Sequence, residues 1–230
     1  MDEQFRINKY LAMHGIATRR DADKLIEAGK VFVNGKRAVL GLKVTEKDKV
    51  EIAGKSSKKL LYYAYNKPRG VVTHSPQKGE EDVLSSIKLK GVFPIGRLDK
   101  DSEGLLILTN DGRITDRLLS PNYDHEKEYL VRTRTLLKKF HLNVMENGME
   151  LDDIKTKPCK TKQINEKTFK IILTEGKKHQ IRRMCDSLNI PIDTLKRIRV
   201  MNIKLGTLKQ NEYREIKGEE LEEFLHLLSL

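Results

Sequence analysis

The chain has 230 residues, with 45 Lys and Arg against 33 Asp and Glu and a formal net charge of +12 at pH 7. That length suits one or two domains, and the positive balance favours RNA, DNA or another polyanion as partner. Cys159 and Cys185 have neither metal-ligand spacing nor the numbers for a disulfide framework, and no apolar run approaches the roughly 18 residues of a membrane span. The opening MDEQFRINKY lacks the apolar core of a signal peptide, so the expectation is a cytoplasmic protein away from any membrane.

Residues near 5–52 read as a compact unit. Ile7, Leu11 and Ala12 fit one face of a short helix that ends at His14-Gly15. Thr18 caps a second helix, with Asp21 three residues on and Ala22, Leu25 and Ile26 as its apolar stripe. Gly29 supplies the stop. Val31 to Val33, Asn34-Gly35 and Lys36 to Val39 predict a hairpin, because Asn-Gly suits the turn that matches strand twist. Residues 1–59 carry 14 Lys or Arg against 8 Asp or Glu, which is half the net charge on about a quarter of the chain. Lys55, Ser56, Ser57, Lys58 and Lys59 read as a polar linker. The expected division is 1–54, a linker at 55–59, and a larger unit at 60–230.

Within the larger unit, strands are expected at Leu60–Tyr65, Gly104–Thr109, Lys127–Thr133 and Phe169–Thr174. Leu221, Phe224, Leu225 and Leu228, at i, i+3, i+4 and i+7, predict a closing amphipathic helix. Strands interleaved with helices at uneven spacing point to an α+β fold. The larger unit is then built on a mixed, mostly antiparallel sheet with flanking helices, beside a small αα-hairpin unit.

Four segments carry chemistry. Asn66-Lys67-Pro68-Arg69-Gly70 puts two cations on a loop that Pro and Gly shape, although solvated turn charges would look the same. Gly96-Arg97-Leu98-Asp99 and the residues to Gly104 hold a carboxylate among cations ahead of an apolar strand; a plain surface pair with Arg97 or Lys100 is the bland alternative. Tyr129 enters a strand, as either a packing or a working aromatic. Glu175-Gly176-Lys177-Lys178-His179-Gln180-Ile181-Arg182-Arg183 follows a strand and opens a helix, a setting for phosphate contact. No His-x-x-x-His pair, Cys-x-x-Cys, Walker loop, dinucleotide loop or serine elbow is present. Any chemistry must therefore come from carboxylate, Tyr and Arg.

Taken together, these segments resemble the pseudouridine synthases of ribosomal type that carry an N-terminal RNA-binding module. Gly96-Arg97-Leu98-Asp99 with Gly104-Leu105-Leu106 is similar to that family's catalytic-aspartate motif. Lys127-Glu128-Tyr129 resembles its tyrosine motif, and Gln180-Ile181-Arg182-Arg183-Met184 its arginine motif. Residues 5–52 resemble the module first named from ribosomal small-subunit protein four. The stretches Asp124 to Tyr129 and Arg182 to Cys185 look closest to the RluF branch, which modifies large-subunit ribosomal RNA. Ser102 stands where many relatives have Thr, and the chain ends at Leu230 without the basic tail of some relatives.

The resemblance implies Asp99 as the catalytic carboxylate, acting by attack or by removing a ribose proton. It implies Tyr129 as the ring stacked on uracil, and Arg182 as the guanidinium paired with Asp99. Leu195 fits an apolar support under the base and a core leucine equally well, and Ile181 sits within the arginine motif. No cofactor or metal is implied, because the product is an isomer of the substrate. The target uridine must leave its stack. Lys67, Arg69, Arg97, Lys177 and Lys178 would offset that cost through phosphate contacts. Arg6, Lys9, Arg19, Arg20, Lys24 and Lys36 would hold a neighbouring stem by shape. The implied partner is a ribosomal RNA stem-loop, free or within an assembling ribosomal particle, met by a monomer. Small-subunit or transfer RNA as target, a non-catalytic RNA-binding or ribosome-assembly factor, and a two-carboxylate glycosidase or nucleosidase with Asp101 and Glu103 available are the alternatives.

Overall fold

The computed structural model describes residues 4–14, 16–53, 59–87, 89–120, 123–152 and 154–230. The N-terminal unit runs β1 (Phe5–Arg6), α1 (Ile7–Met13), α2 (Arg19–Glu27), β2 (Val31–Val33), β3 (Lys36–Arg37), β4 (Lys43–Val44) and β5 (Val50–Ile52). Thr18 caps α2 as expected, its Oγ1 accepting from the Asp21 amide at 3.1 Å. Asn34 and Gly35, both at positive φ, turn β2 into β3. The second strand of that hairpin is shorter than the expected 36–39, and β5 joins β2 on the other side, a pairing that local sequence does not signal. Ile7, Leu11, Ala22, Ile26 and Val31 form this unit's own apolar core. The linker expected at 55–59 lies outside the described residues, apart from Lys59.

The larger unit continues with β6 (Tyr62–Lys67), α3 (Val83–Ser86), β7 (Phe93–Ile95), β8 (Glu103–Thr109), α4 (Arg113–Leu119), β9 (Lys127–Thr133), α5 (Lys139–Glu146), β10 (Glu150–Leu151), β11 (Ile154–Lys155) and β12 (Lys160–Asn165). It closes with β13 (Thr168–Leu173), α6 (Gln180–Ser187), β14 (Ile192–Val200), β15 (Ile203–Lys204), β16 (Tyr213–Glu215) and α7 (Glu219–Leu227). One sheet runs β12-β13-β9-β14-β8-β6-β16, with β15 beside β14 and β7 beside β8. Its pairs are antiparallel except β14 with β8, so the expected mixed, mostly antiparallel α+β architecture is what forms. The central strand β14 was not anticipated. Its Asp, Lys and Arg residues break the apolar run that marks a strand, because both of its faces carry charge.

Two features of the sheet set the positions of the functional groups. Gly104, at φ +105, is where β8 meets β14; a Cβ there would fall 2.2 Å from the Arg197 carbonyl oxygen. Only glycine lets the strands close at that point. In β14 the register against β9 shifts between Arg197 and Arg199, so Arg197 opposes Tyr129 while Arg199 opposes Glu128. This bulge turns two arginines, two residues apart, to opposite faces of one strand.

Candidate active site

The Gly96–Ser102 segment between β7 and β8 is held from beneath by its neighbours. Lys67, at the end of β6, is fully buried, and its Nζ donates to the carbonyls of Pro68 at 2.9 Å and Val71 at 2.6 Å, with the Lys100 carbonyl at 3.5 Å. Thr73 Oγ1 donates to the Leu98 carbonyl at 2.7 Å and accepts from its amide at 3.0 Å. The Gly70 amide donates to the Lys100 carbonyl at 2.8 Å. From α6, Arg182 Nη2 donates to the Asp101 carbonyl at 2.9 Å and to Ser102 Oγ at 3.3 Å. Backbone groups on both sides of Asp99 are thereby fixed while its side chain stays half-exposed. Burial pushes the Lys67 ammonium down to about 8, with Asp99 the largest influence in the other direction.

Asp99 borders a cleft of about 650 Å³. The Arg97–Asp99 segment lines one part and residues 173–181 another, with Tyr129 and Lys127 of β9 and Leu195 and Arg197 of β14 on the sheet between them. These four sheet residues share a face by register, since Tyr129 opposes Arg197 and Val131 opposes Leu195. His179, in the left-handed region just before α6, brings Nε2 to 3.4 Å from Asp99 Oδ1. Glu175 is buried and committed to structure: it accepts from the Lys157 amide at 2.9 Å and from Gln180 Nε2 at 2.7 Å. Asp101 pairs with Arg69 at 3.7 Å, and Glu103 accepts from Gln210 at 2.8 Å; neither is among the cleft residues. Of the two carboxylates among the described residues of the cleft, Asp99 is the one not held by the protein's own amides; its partner there is the exposed His179 ring.

Comparisons with known proteins place the chain as a whole. Residues 61–187 match the family described as RNA pseudouridylate synthase, and residues 5–50 match the S4 domain. The chain belongs to the RNA pseudouridine synthase family. It is 38% identical to the dual-specificity RNA pseudouridine synthase RluF of Escherichia coli (strain K12), across 99% of this chain and 80% of that one. To the ribosomal large subunit pseudouridine synthase B of Bacillus subtilis (strain 168) it is 36% identical, across 94% and 93%. A crystal structure of a pseudouridylate synthase superposes with a TM-score of 0.70 at 25% identity, covering 97% of this chain and 99% of that one.

For this family member, the residues expected to work together are gathered unevenly. Asp99, Tyr129, Leu195 and Ile181 all line the cleft, and Leu195 and Ile181 also belong to the packed core beneath it, so the two readings of Leu195 coincide. Arg182 reaches the Asp99 loop, but through Asp101 and Ser102; the direct pairing with Asp99 is replaced by a grip on the Asp101 carbonyl and the Ser102 hydroxyl. The phosphate-contact expectation for Lys67 is overturned: with no exposed surface, it spends its donors on backbone carbonyls. The signal was the length of the strand, which runs through Asn66 and Lys67 instead of stopping before them.

Arg97 and Lys178 are exposed at the cleft, Arg69 is paired with Asp101, and Lys177 is half-buried and paired with Glu175 at 3.3 Å. In the S4 domain, Arg6, Arg19, Arg20, Lys24 and Lys36 are exposed; Lys9 lies 5.2 Å from the centre of the Phe5 ring. Sequence alone assigns neither Lys127, which it shows only as part of the tyrosine motif, nor Arg197 a place at the cleft. Each stands two residues from a residue that was noticed, Tyr129 or Leu195, which in a strand means the same face.

Proposed function

We propose that this protein isomerises a uridine to pseudouridine in a stem-loop of large-subunit ribosomal RNA, with Asp99 as the catalytic carboxylate. The observation that carries the reading is the placement of Asp99: a half-exposed carboxylate on an immobilised loop, at the edge of a cleft that also holds the Tyr129 ring. The names borne by the Escherichia coli and Bacillus subtilis relatives support the choice of RNA. The exposed S4-domain cations supply a face for a neighbouring stem, and the exposed Arg97 and Lys178 meet phosphates where the flipped nucleotide enters.

Pseudouridine formation breaks the bond from C1′ to N1, turns the uracil and rejoins it through C5. Asp99 serves the sugar side, by attack at C1′ or by taking the neighbouring ribose proton. Tyr129 and Leu195 hold the base between ring and aliphatic surface. Arg182 and Lys67 act as positioning residues through the loop backbone. We further propose that the protein acts as a cytoplasmic monomer, on free RNA or within an assembling ribosomal particle.

The test is carbodiimide-probed primer extension across ribosomal and transfer RNA from cells with and without the protein, complemented with wild type or Asp99→Asn. A large-subunit stop that vanishes on deletion and returns only with wild type is the expected result. A lost stop in small-subunit or transfer RNA instead overturns the choice of target. No lost stop in any of the three overturns the activity.

A further inference from the structure

The cleft floor carries two cations for which the carboxylate chemistry of Asp99 has no use. Arg197 is 5% exposed, and its single hydrogen bond among the described residues runs from Nε to the Leu105 carbonyl at 2.7 Å. Among the described residues, Lys127 donates only to the His125 carbonyl, at 3.3 Å. Neither has an ion-pair partner among the described residues, although Asp99 borders the same cleft. Buried like charges without an acid are costly. Burial, and then the neighbouring Arg197, hold the Lys127 ammonium below its ordinary range. A cost of this kind persists where the charge meets something during function.

We propose that Lys127 and Arg197 form an electrostatic cradle for the departing uracil, stabilising the negative charge the base acquires when the glycosidic bond breaks. Depth decides against phosphate as the ligand. A phosphate carries a nucleotide on each side and stays at the rim, where Arg97 and Lys178 are exposed, whereas a flipped base can reach the floor. Register decides the position: Arg197 lies directly across from Tyr129, so a base against that ring sits beside the guanidinium. The Leu105 carbonyl fixes Nε and leaves the two terminal nitrogens as donors.

The charge follows from the electron count. On cleavage the C1′–N1 pair goes to the base, whether C1′ is taken by an Asp99 oxygen or the C2′ proton passes to Asp99 as a C1′–C2′ double bond forms. The freed uracil is an anion spread over N1, O2 and O4. When C5 then bonds to C1′, the sugar change is reversed, the C5 proton leaves and N1 is protonated, giving an isomer. Two desolvated cations interact weakly with neutral uracil and strongly with its anion, so their contribution falls on the transition state.

This inference rests on the synthase reading, and the experiment separates the two. The substrate is the stem-loop RNA identified by the primer-extension test, prepared with uridine or with 5-fluorouridine at the target. Fluorine makes the base a better leaving group, and glycosidic cleavage is followed by loss of the starting nucleoside. Wild type, Lys127→Met, Arg197→Lys and Arg197→Gln are compared for RNA affinity and for single-turnover rate. Lys127 is half-buried, so Lys127→Met is expected to fold, and the test does not depend on Arg197→Gln folding.

The expected result is a fall of about 10²–10³-fold in rate for Lys127→Met on uridine RNA. RNA affinity should stay within about twofold of wild type, and the rate gap should shrink markedly on 5-fluorouridine RNA. Arg197→Lys should keep more activity than Arg197→Gln. The cradle is overturned if the gap is the same on both RNAs, or if affinity falls in step with rate. If wild type converts neither RNA, the synthase reading itself has failed and the inference goes with it.

Discussion

The two faces of β9 and β14 use the same residue types to opposite ends. On the cleft face, Lys127 and Arg197 have no carboxylate partner among the described residues. On the reverse face, Arg199 sits 2.9 Å from Glu126 and 2.8 Å from Glu128, while Lys160 and Lys170 reach the same two carboxylates at 3.1 and 3.0 Å. The cation with its acids beside it holds strands together, whereas the two without an acid are the ones proposed to meet the base. The bulge between Arg197 and Arg199 lets one strand carry both kinds.

The largest predicted effect removes the junction on which both faces depend. Gly104→Ala must push β8 from β14, because the new methyl would meet Arg197 backbone atoms at 2.2 and 2.7 Å and the backbone there is left-handed. A loss of about 4 kcal/mol or more in stability is expected, read by chemical denaturation, with activity lost alongside. A fully active, stable Gly104→Ala protein would show that the junction yields and that Arg197 need not be held where it is.

The second prediction separates the faces. Arg199→Met should cost about 1–3 kcal/mol of stability and leave single-turnover rate near wild type, because it strands Glu126 and Glu128 with weaker partners. Lys127→Met should do the reverse, cutting rate while leaving stability equal or higher, since an uncompensated charge is removed. Acid sharpens the contrast. Burial pushes the Glu128 carboxyl upward, but Arg199 and Lys170 outweigh it and hold it below its ordinary value. Its stabilisation is therefore complete above about pH 4.5 and is lost as pH falls through the lowered value, by less in Arg199→Met, where Lys170 alone still holds Glu128.

Lys67 supplies a third contrast, a buried cation committed to backbone. Its pKa of about 8 lies below the ordinary 10.5, so the unfolded chain holds the proton more tightly. The cost of burying the charge therefore shrinks as pH rises from about 8 toward 10.5, and stability from this group rises. Over the same window the group keeps two N–H donors, enough for the Pro68 and Val71 carbonyls but not for the Lys100 carbonyl as well, and the Asp99 loop slackens. Activity should fall on the alkaline side with a midpoint near 8 while thermal stability does not. Lys67→Met should lower activity by about 10²-fold and abolish that limb, since small misplacements of a reacting group cost about that much. An unchanged alkaline limb in the variant would assign it to another group.

Much of this was legible in the sequence. Strand Lys127–Thr133 and the Thr18 cap follow from alternation and capping chemistry, and the Asp99, Tyr129 and Arg182 segments stand out as short motifs. What escaped was long-range. Arg182's grip on Asp101 and Ser102 spans some eighty residues, and no local pattern says which atoms of a loop a guanidinium will take. Strand β14 escaped because charges on both faces erase its period. Lys67 looked like an exposed loop cation until three backbone carbonyls, two of them within four residues and one from the Asp99 loop, closed over it.

The smallest effect lies farthest from the cleft. Arg19 and Arg20 open α2 with both side chains exposed, and Lys24 on the same helix lies 3.9 Å from Asp21, too solvated a pair to withdraw it from RNA. Surface cations of this kind act through released counterions, so their removal changes binding more than chemistry. Arg19→Ala with Arg20→Ala should weaken affinity for the stem-loop and flatten the dependence of log affinity on log salt by about 2. Single-turnover rate at saturating RNA should stay near wild type. The two variants then form a cross: Lys127→Met lowers rate at constant affinity, and the S4-domain pair lowers affinity at constant rate. An unchanged salt slope would remove Arg19 and Arg20 from the RNA-facing surface and leave stem recognition to Arg6, Lys9, Lys24 and Lys36.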